Sequence, residues 1–290
     1  MRLKDKIAII TGAGTGIGEA IAHKFAREGA RLLLNGLPDD PVPDVAAAIV
    51  AGGGAVEVYL GDISEPAAAR ACVALAIESF GRLDVLVNNA GIFIAHAETD
   101  DYRLEDFDRT LRHNLRTAFL MTKFALPHLQ KSRGNIICAG SEAGINGSAG
   151  FTPYGGSKAF LHAFTMGVAL EQAKYDVRAN CVCPGAIDTA WTHPGLGPLD
   201  EAMGRGIEAG VPLGRRGTPE EMANIYAFLA SDEASYVTGA LWLADGGVTP
   251  AKGTLGASVP DELRRPPKGV LALRHALDGE SGKEVYRAPK

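Results

Sequence analysis

The chain alternates short apolar runs with longer amphipathic stretches. "KIAIIT" (6–11) is the first run, rich in β-branched residues and followed by glycines. Over 18–30, Ile21, Ala22, Phe25 and Ala26 form one helical stripe, and Gly29 is placed to cap it. "RLLLN" (31–35) reads as a second strand. The pattern predicts further helices over 42–51, 65–79, 104–112, 114–130, 154–174, 199–209 and 218–230. It predicts further strands over 55–60, 83–88, 135–140, 177–183 and 239–244. Strands that are apolar throughout, and not at every second position, are covered on both faces. The expected fold is therefore α/β: one doubly wound parallel sheet over residues 1–248, with right-handed crossovers.

Two segments depart from this pattern. Residues 190–217 hold Pro194, Pro198 and Pro212 among many glycines. A long Gly/Pro-punctuated insertion in a compact domain points to a mobile substrate lid. Residues 249–290 contain "RRPPKG" and end on the polar "VYRAPK". They are expected to be a C-terminal extension, much of it extended or poorly ordered.

Composition narrows the function. The net charge of −5 disfavours sequence-independent nucleic-acid binding, and the basic residues form no run. No apolar stretch approaches the ~20 residues of a membrane span. The N-terminus lacks the pattern of a secretory signal. Cys72, Cys138, Cys181 and Cys183 have no CxxC spacing and read as buried hydrophobes. A cytoplasmic protein without a metal site is expected.

The chemistry lies in the turns. "TGAGTGIG" (11–18) joins a strand to a helix, the context in which glycines let backbone N–H groups approach a pyrophosphate. A plain tight turn or a methyltransferase loop would look alike at this point. "YGGSK" (154–158) puts Tyr154 and Lys158 one helical turn apart, on one face. A phenol ordinarily ionises near pH ~10, and a lysine cation beside it favours the phenolate. Such a tyrosine can exchange a proton with a substrate oxygen at neutral pH.

The ordered set TGxxxGxG at 11–18, "NNAG" at 88–91, Asn114, Ser141, YxxxK at 154–158 and "PG" at 184–185 resembles the short-chain dehydrogenase/reductase family. The match covers roughly residues 5 to 247. It implies a Rossmann-type fold and hydride transfer between a nicotinamide cofactor and an alcohol or carbonyl substrate. Asn114, Ser141, Tyr154 and Lys158 would be catalytic, with Tyr154 as general acid/base. Ser141 would hold the substrate oxygen, Lys158 the nicotinamide ribose, and Asn114 a water linking Lys158 to solvent. Gly12, Thr15, Gly16, Ile17 and Gly18 would cradle the cofactor. Asp62, with Ile63, would meet the adenine amine, although Asp62 could instead cap the next helix. Asn88, Ala90 and Gly91 would line the fourth strand's end. Pro184, Gly185, Ile187 and Thr189 would face the nicotinamide.

Where NAD-using relatives carry an aspartate after the second strand, this chain has Gly36. The positions that are basic in NADP users are Leu37 and Thr15, and Asp39 and Asp40 follow. Anionic side chains there repel a 2′-phosphate, so NAD is expected over NADP. Phe93, Ile94, His96, Glu142, Ile145, Phe151, Trp191 and His193 are candidate pocket residues, with Glu142 and His193 at a polar end. Arg205 could swing in from the lid. A non-catalytic dinucleotide-binding scaffold, or a dehydratase or epimerase, would share the fold. The resemblance also implies a homotetramer or homodimer. Apolar residues beyond one stripe agree: Leu115, Phe119, Leu120 and Phe124 on one helix, Phe160, Leu161, Phe164 and Met166 on another.

Overall fold

The structure, a computed structural model, describes residues 1–147, 149–192, 201–251, 259–260, 262, 270–271 and 286–287. Seven parallel strands form one sheet: β1 (Ile7–Thr11), β2 (Arg31–Gly36), β3 (Val56–Leu60), β4 (Val85–Asn88), β5 (Asn135–Ala139), β6 (Arg178–Pro184) and β7 (Leu241–Ala244). Their order is β3-β2-β1-β4-β5-β6-β7. The chain order reverses beside β1, so the carboxyl ends of β1 and β4 flank a crevice.

Among the described residues, eight α-helices accompany the strands: α1 (Gly16–Arg27), α2 (Val42–Ala51), α3 (Pro66–Phe80), α4 (Leu104–Leu111), α5 (Thr117–Ser132), α6 (Thr152–Gln172), α7 (Glu201–Gly210) and α8 (Pro219–Ala230). Strand residues alternate strictly between two cores. Ala8, Ile10, Leu32, Leu34, Val85 and Val87 pack with α1, α2 and α8. Ile7, Ile9, Leu33, Leu86, Ile136 and Cys138 pack with α3, α5 and α6. Each such fully buried Ile or Leu contributes about 2 kcal/mol. That double covering is why the strands carry no polar alternation.

Local signals end the elements. A capping box starts α8: the Thr218 hydroxyl accepts from the Glu221 N–H at 3.2 Å, and the Glu221 carboxylate accepts from the Thr218 N–H at 2.9 Å. Arg178 closes the other end of α8, donating to the Leu229 carbonyl at 2.9 Å and the Ser231 carbonyl at 3.2 Å. At the mouth of the sheet, the Asp84 carboxylate accepts from the Ile7 N–H at 2.9 Å.

Three features differ from the sequence reading. The helices expected over 104–112 and 114–130 are continuous, because a π-turn at Arg112–Arg116 carries α4 into α5. The last strand starts at Leu241 and not at 239, since Gly239 sits at φ 71°. In the extension, β8 (Val270–Leu271) pairs antiparallel with β9 (Tyr286–Arg287), and Val259 lies against Gly214. Residues 252–258, 261, 263–269, 272–285 and 288–290 lie outside the described residues, as do His193, Pro194, Gly195, Gly197 and Pro198. Among the described residues, no helix is long and apolar enough to cross a membrane.

Candidate active site

The glycine turn is built by contacts that leave no room for a side chain. Gly12 has φ 62°, and a Cβ on Gly18 would lie 2.0 Å from the Gly12 carbonyl oxygen. Asn89 ties the turn down, donating to the Thr11 and Gly12 carbonyls at 3.1 Å each. The Thr11 hydroxyl in turn accepts from the N–H groups of Asn89 and Ala90 at 3.0 Å each. Thr15, the N-cap of α1, makes no side-chain bond to its own helix end. The first N–H groups of α1 are thus available to an anion.

A cavity of about 450 Å³ runs along the strand ends. Gly12, Thr15, Gly16, Ile17 and Gly18 line one end of it. Asp62, Ile63, Ala90 and Gly91 line its middle, and Pro184, Gly185, Ile187 and Thr189 its far wall. Asp62 also braces the turn before α3: one carboxylate oxygen accepts from the Ser64 N–H at 2.9 Å, the other from Arg112 at 2.8 Å. Burial pushes its carboxyl up, but the bonds from Ser64 and Arg112 outweigh this and hold it below its usual value. Asp62 thus lines the cavity and braces the turn before α3, whose N-cap is Glu65.

Asn88 is a correction. It is buried, donates to the Thr122 hydroxyl at 2.9 Å, and is absent from the cavity wall. Successive strand residues face opposite sides, so only one of the paired asparagines can serve the crevice, and it is Asn89.

The second strand's end has an unexpected arrangement. A Cβ on Gly36 would lie 2.7 Å from an Asp40 carboxylate oxygen, which accepts from the Leu37 N–H at 2.7 Å. No side chain fits at Gly36, and the carboxylate reaches the cavity from Asp40 instead.

Ser141, Tyr154 and Lys158 meet at the far end. Ser141 follows β5 as the cap of a 3₁₀ turn, Glu142–Gly144, its hydroxyl accepting from the Ala143 N–H at 3.2 Å. Tyr154 lies in the first turn of α6, and a Cβ on Gly155 would meet the Ala143 carbonyl oxygen at 2.8 Å. The close contact of this turn with α6 therefore depends on the glycine. The Ser141 hydroxyl acts on the Tyr154 phenol, opposing the rise of its pKa. Lys158, 4% exposed, donates to the Ala139 carbonyl at 2.8 Å and lies 5.5 Å from the Tyr154 ring centroid.

The electrostatics differ from the expectation of a phenol lowered by its lysine. Burial pushes Tyr154 up to about 12, against the Ser141 bond and with the Glu142 charge. Burial likewise pulls Lys158 down to about 8. Desolvation wins at both groups, and the phenol is protonated at neutral pH.

Asn114 lies behind this wall, fully buried in the π-turn, and does not line the cavity. Its amide donates to the Ile92 carbonyl at 3.1 Å and the Ser157 hydroxyl at 2.9 Å; its oxygen accepts from the Ile92 N–H at 2.7 Å. With these bonds made, the side chain braces the loop after β4.

Phe93 joins an aromatic wall, its ring centroid 4.9 Å from Tyr154, 5.1 Å from Phe151 and 6.5 Å from Trp191. Ile94 and Glu142 also line the cavity, whereas His96 and Ile145 do not. His96 packs edge-on against Phe151 at 4.7 Å. Arg205 is absent from the lining; of the described residues in 190–217, Ala190, Trp191 and Ile207 line it. Sequence spacing gave no sign of Arg112, or of His162, which lies buried with its Nε2 3.3 Å from the Cys183 sulfur.

Comparison with known proteins agrees with this geometry. A family model described as enoyl-(acyl carrier protein) reductase matches residues 12–249. A meso-2,3-butanediol dehydrogenase of Serratia marcescens is 36% identical over 253 residues, covering 87% of this chain and 98% of that protein. An L-rhamnose 1-dehydrogenase (NAD(P)(+)) of Sphingomonas sp. is 38% identical over 249 residues, covering 85% and 97%. A short-chain dehydrogenase of Burkholderia cenocepacia, solved with NADP, superposes with a TM-score of 0.79 at 33% identity, covering 86% of this chain and 99% of that one. The chain is thus an oxidoreductase and belongs to the short-chain dehydrogenase/reductase family.

Proposed function

We propose that the protein interconverts an alcohol and its carbonyl compound with a nicotinamide cofactor, Tyr154 carrying the proton. One observation carries this reading: a single cavity is lined both by the glycine turn and by Ser141, Tyr154 and Lys158. The residues fit a dinucleotide, because the turn excludes side chains and leaves the α1 N-terminus open. When bound, the nicotinamide takes a hydride from the substrate carbon or returns one. Ser141 orients the substrate oxygen, and Tyr154 gives or takes the proton at that oxygen. Lys158, fixed by the Ala139 carbonyl, holds the ribose side of the site. Asn114 positions the loop that carries Phe93. Phe93, Phe151 and Trp191 keep water from the reacting atoms.

We infer NAD in preference to NADP, because the Asp40 carboxylate occupies the position where a 2′-phosphate would need a cation. Residues 190–217, with Ile207 over the cavity, act as the substrate lid, and 249–290 form an extension beside a 1–248 catalytic domain. The buried, unpaired cysteines suit a cytoplasmic setting. A homotetramer or homodimer would cover the apolar face of α5 and α6, where Phe119 is 47% and Leu170 82% exposed. Leu120 and Leu161 are buried in their own chain and contribute nothing to that face. A panel of secondary alcohols and ketones, followed by nicotinamide absorbance with each cofactor, tests the reaction. No turnover across the panel overturns it, and tighter binding of NADPH than NADH overturns the cofactor preference.

A further inference from the structure

Behind the wall of the cavity lies a cluster that the proposed reaction does not use. Cys181 and Cys183 occupy alternate positions of β6, so both side chains enter the same core. His162 comes to them from α6, one helical turn after Lys158. All three residues are at most 5% exposed. Their donor atoms, two sulfurs and an imidazole nitrogen, lie within 4.8 Å of one another, with His162 Nε2 3.3 Å from the Cys183 sulfur. Among the described residues, no other group of three such donors converges. Sequence spacing conceals the cluster, because strand and helix meet only in the fold.

The surroundings suit a metal. The Ser141 N–H donates to His162 Nε2 at 3.5 Å, so that nitrogen carries the lone pair a metal takes. A Cβ on Gly140 would lie 2.6 Å from Nε2 and 2.7 Å from the Cys181 sulfur, and one on Gly144 would lie 2.6 Å from the ring's Cε1. The donors thus fill space that only glycine leaves. Gly140 also lines the cavity, so a single backbone residue stands between the cavity and the cluster. Tetrahedral zinc holds thiolate sulfur at about 2.3 Å and imidazole nitrogen at about 2.0–2.1 Å, which sets the donors about 3.5–3.8 Å apart, so the widest pair here closes by about 1 Å at most. Charge balances as well. Two protons leave the cluster as Zn²⁺ enters, and two thiolates with one divalent cation make a neutral unit. Such a unit suits the apolar core and does not repel the Lys158 ammonium one turn away.

We propose that His162, Cys181 and Cys183 bind one Zn²⁺, and that its binding slows the reaction by displacing Ser141. The metal takes the His162 lone pair, and the Ser141 N–H loses its acceptor. The ring touches Gly140 and Gly144, on either side of Ser141 in the chain, so the turn shifts with the ring. Zinc keeps its oxidation state, and the two protons pass to solvent. The effect on the reaction rests on the reading of Ser141 as the holder of the substrate oxygen; the metal site does not.

The test strips the full chain with a chelator under a phosphine reductant, removes the chelator, and loads Zn²⁺ or Co²⁺. One zinc per chain should survive gel filtration, and cobalt should show a thiolate charge-transfer band. Cys181→Ala and Cys183→Ala should each weaken Zn²⁺ binding by more than about a hundredfold, with thermal midpoints confirming that they fold. If neither folds, the cobalt band of the wild type decides. Wild-type turnover should fall about tenfold or more on loading and return with chelator, whereas both variants should keep theirs. No retained zinc, no charge-transfer band, or equal binding by the variants overturns the site. Bound zinc that leaves turnover unchanged overturns its effect on Ser141. Inhibition that the reductant reverses and the chelator does not is oxidation of the thiols, and it overturns both. Ser141→Ala separates the two levels: if that variant turns over alcohols as the wild type does, the reading of Ser141 fails while the metal count stands.

Discussion

Lys158 has a stability signature of its own. Its ammonium titrates near 10.5 in the open chain and near 8 in the folded one. Between those values the unfolded chain binds the extra proton, so stability rises with pH across that window; below about 8 the full cost of the buried charge persists. Lys158→Met has no such titration. From neutral pH to about 10, the wild type should therefore gain about 3 kcal/mol on the variant, measured by urea unfolding. Tyr154→Phe keeps the ring and removes the proton carrier, so turnover should fall about 10²–10⁴-fold; a variant retaining a tenth of wild-type turnover contradicts the assignment. Asp40→Asn keeps an acceptor for the Leu37 N–H while removing the charge. It should shift relative affinity toward NADPH by about tenfold, read by fluorescence titration of both cofactors. At this scale the sequence was legible where chemistry and spacing coincide, as at Ser141, Tyr154 and Lys158. It was silent where a position is decided by packing. Nothing in "NNAG" says which asparagine faces the crevice, and nothing in "GLPDD" says that a side chain at Gly36 would collide with Asp40.

Elements were easier to read than their joints. Apolar periodicity marked the strands and most helices, because both faces of the sheet are buried and helical stripes follow from that. The π-turn at Arg112–Arg116 was not legible, since it alters backbone bonding without altering composition. Asn114 lies within this turn and accepts from the Ile92 N–H at 2.7 Å. Two caps can be tested at this scale. Thr218→Ala removes the hydroxyl of the capping box and should cost about 1 kcal/mol in urea unfolding without changing cofactor affinity. Gly18→Ala places a methyl against the Gly12 carbonyl, and the turn must open to admit it. Cofactor affinity should drop more than about tenfold while the fold persists, as seen by circular dichroism and titration.

For the whole molecule, the sequence located the catalytic end of the sheet and left its outer faces open. Phe160 and Phe164 stack at 5.6 Å on α6, with Phe119 at 6.3 Å from Phe164 on α5, and among the described residues Phe119 and Phe160 stay exposed. Light scattering should give a multiple of 30.3 kDa, and Leu170→Asp should shift the mass toward the monomer. The strand order also bears on how the molecule comes into being. β1 lies between β2 and β4, yet β4 is made only after β3 and α3. A ribosome adding about 10 residues per second leaves one edge of β1 bare for several seconds after its own synthesis. Through that interval Ile9 and Ile10 have no partner strand on one side, and any other chain with an open apolar edge can compete for it. β1 is thus the first strand made, yet one of its edges stays open until β4 emerges. Faster elongation, or a chaperone that shields nascent apolar edges, should raise the soluble yield more than any substitution at the active site.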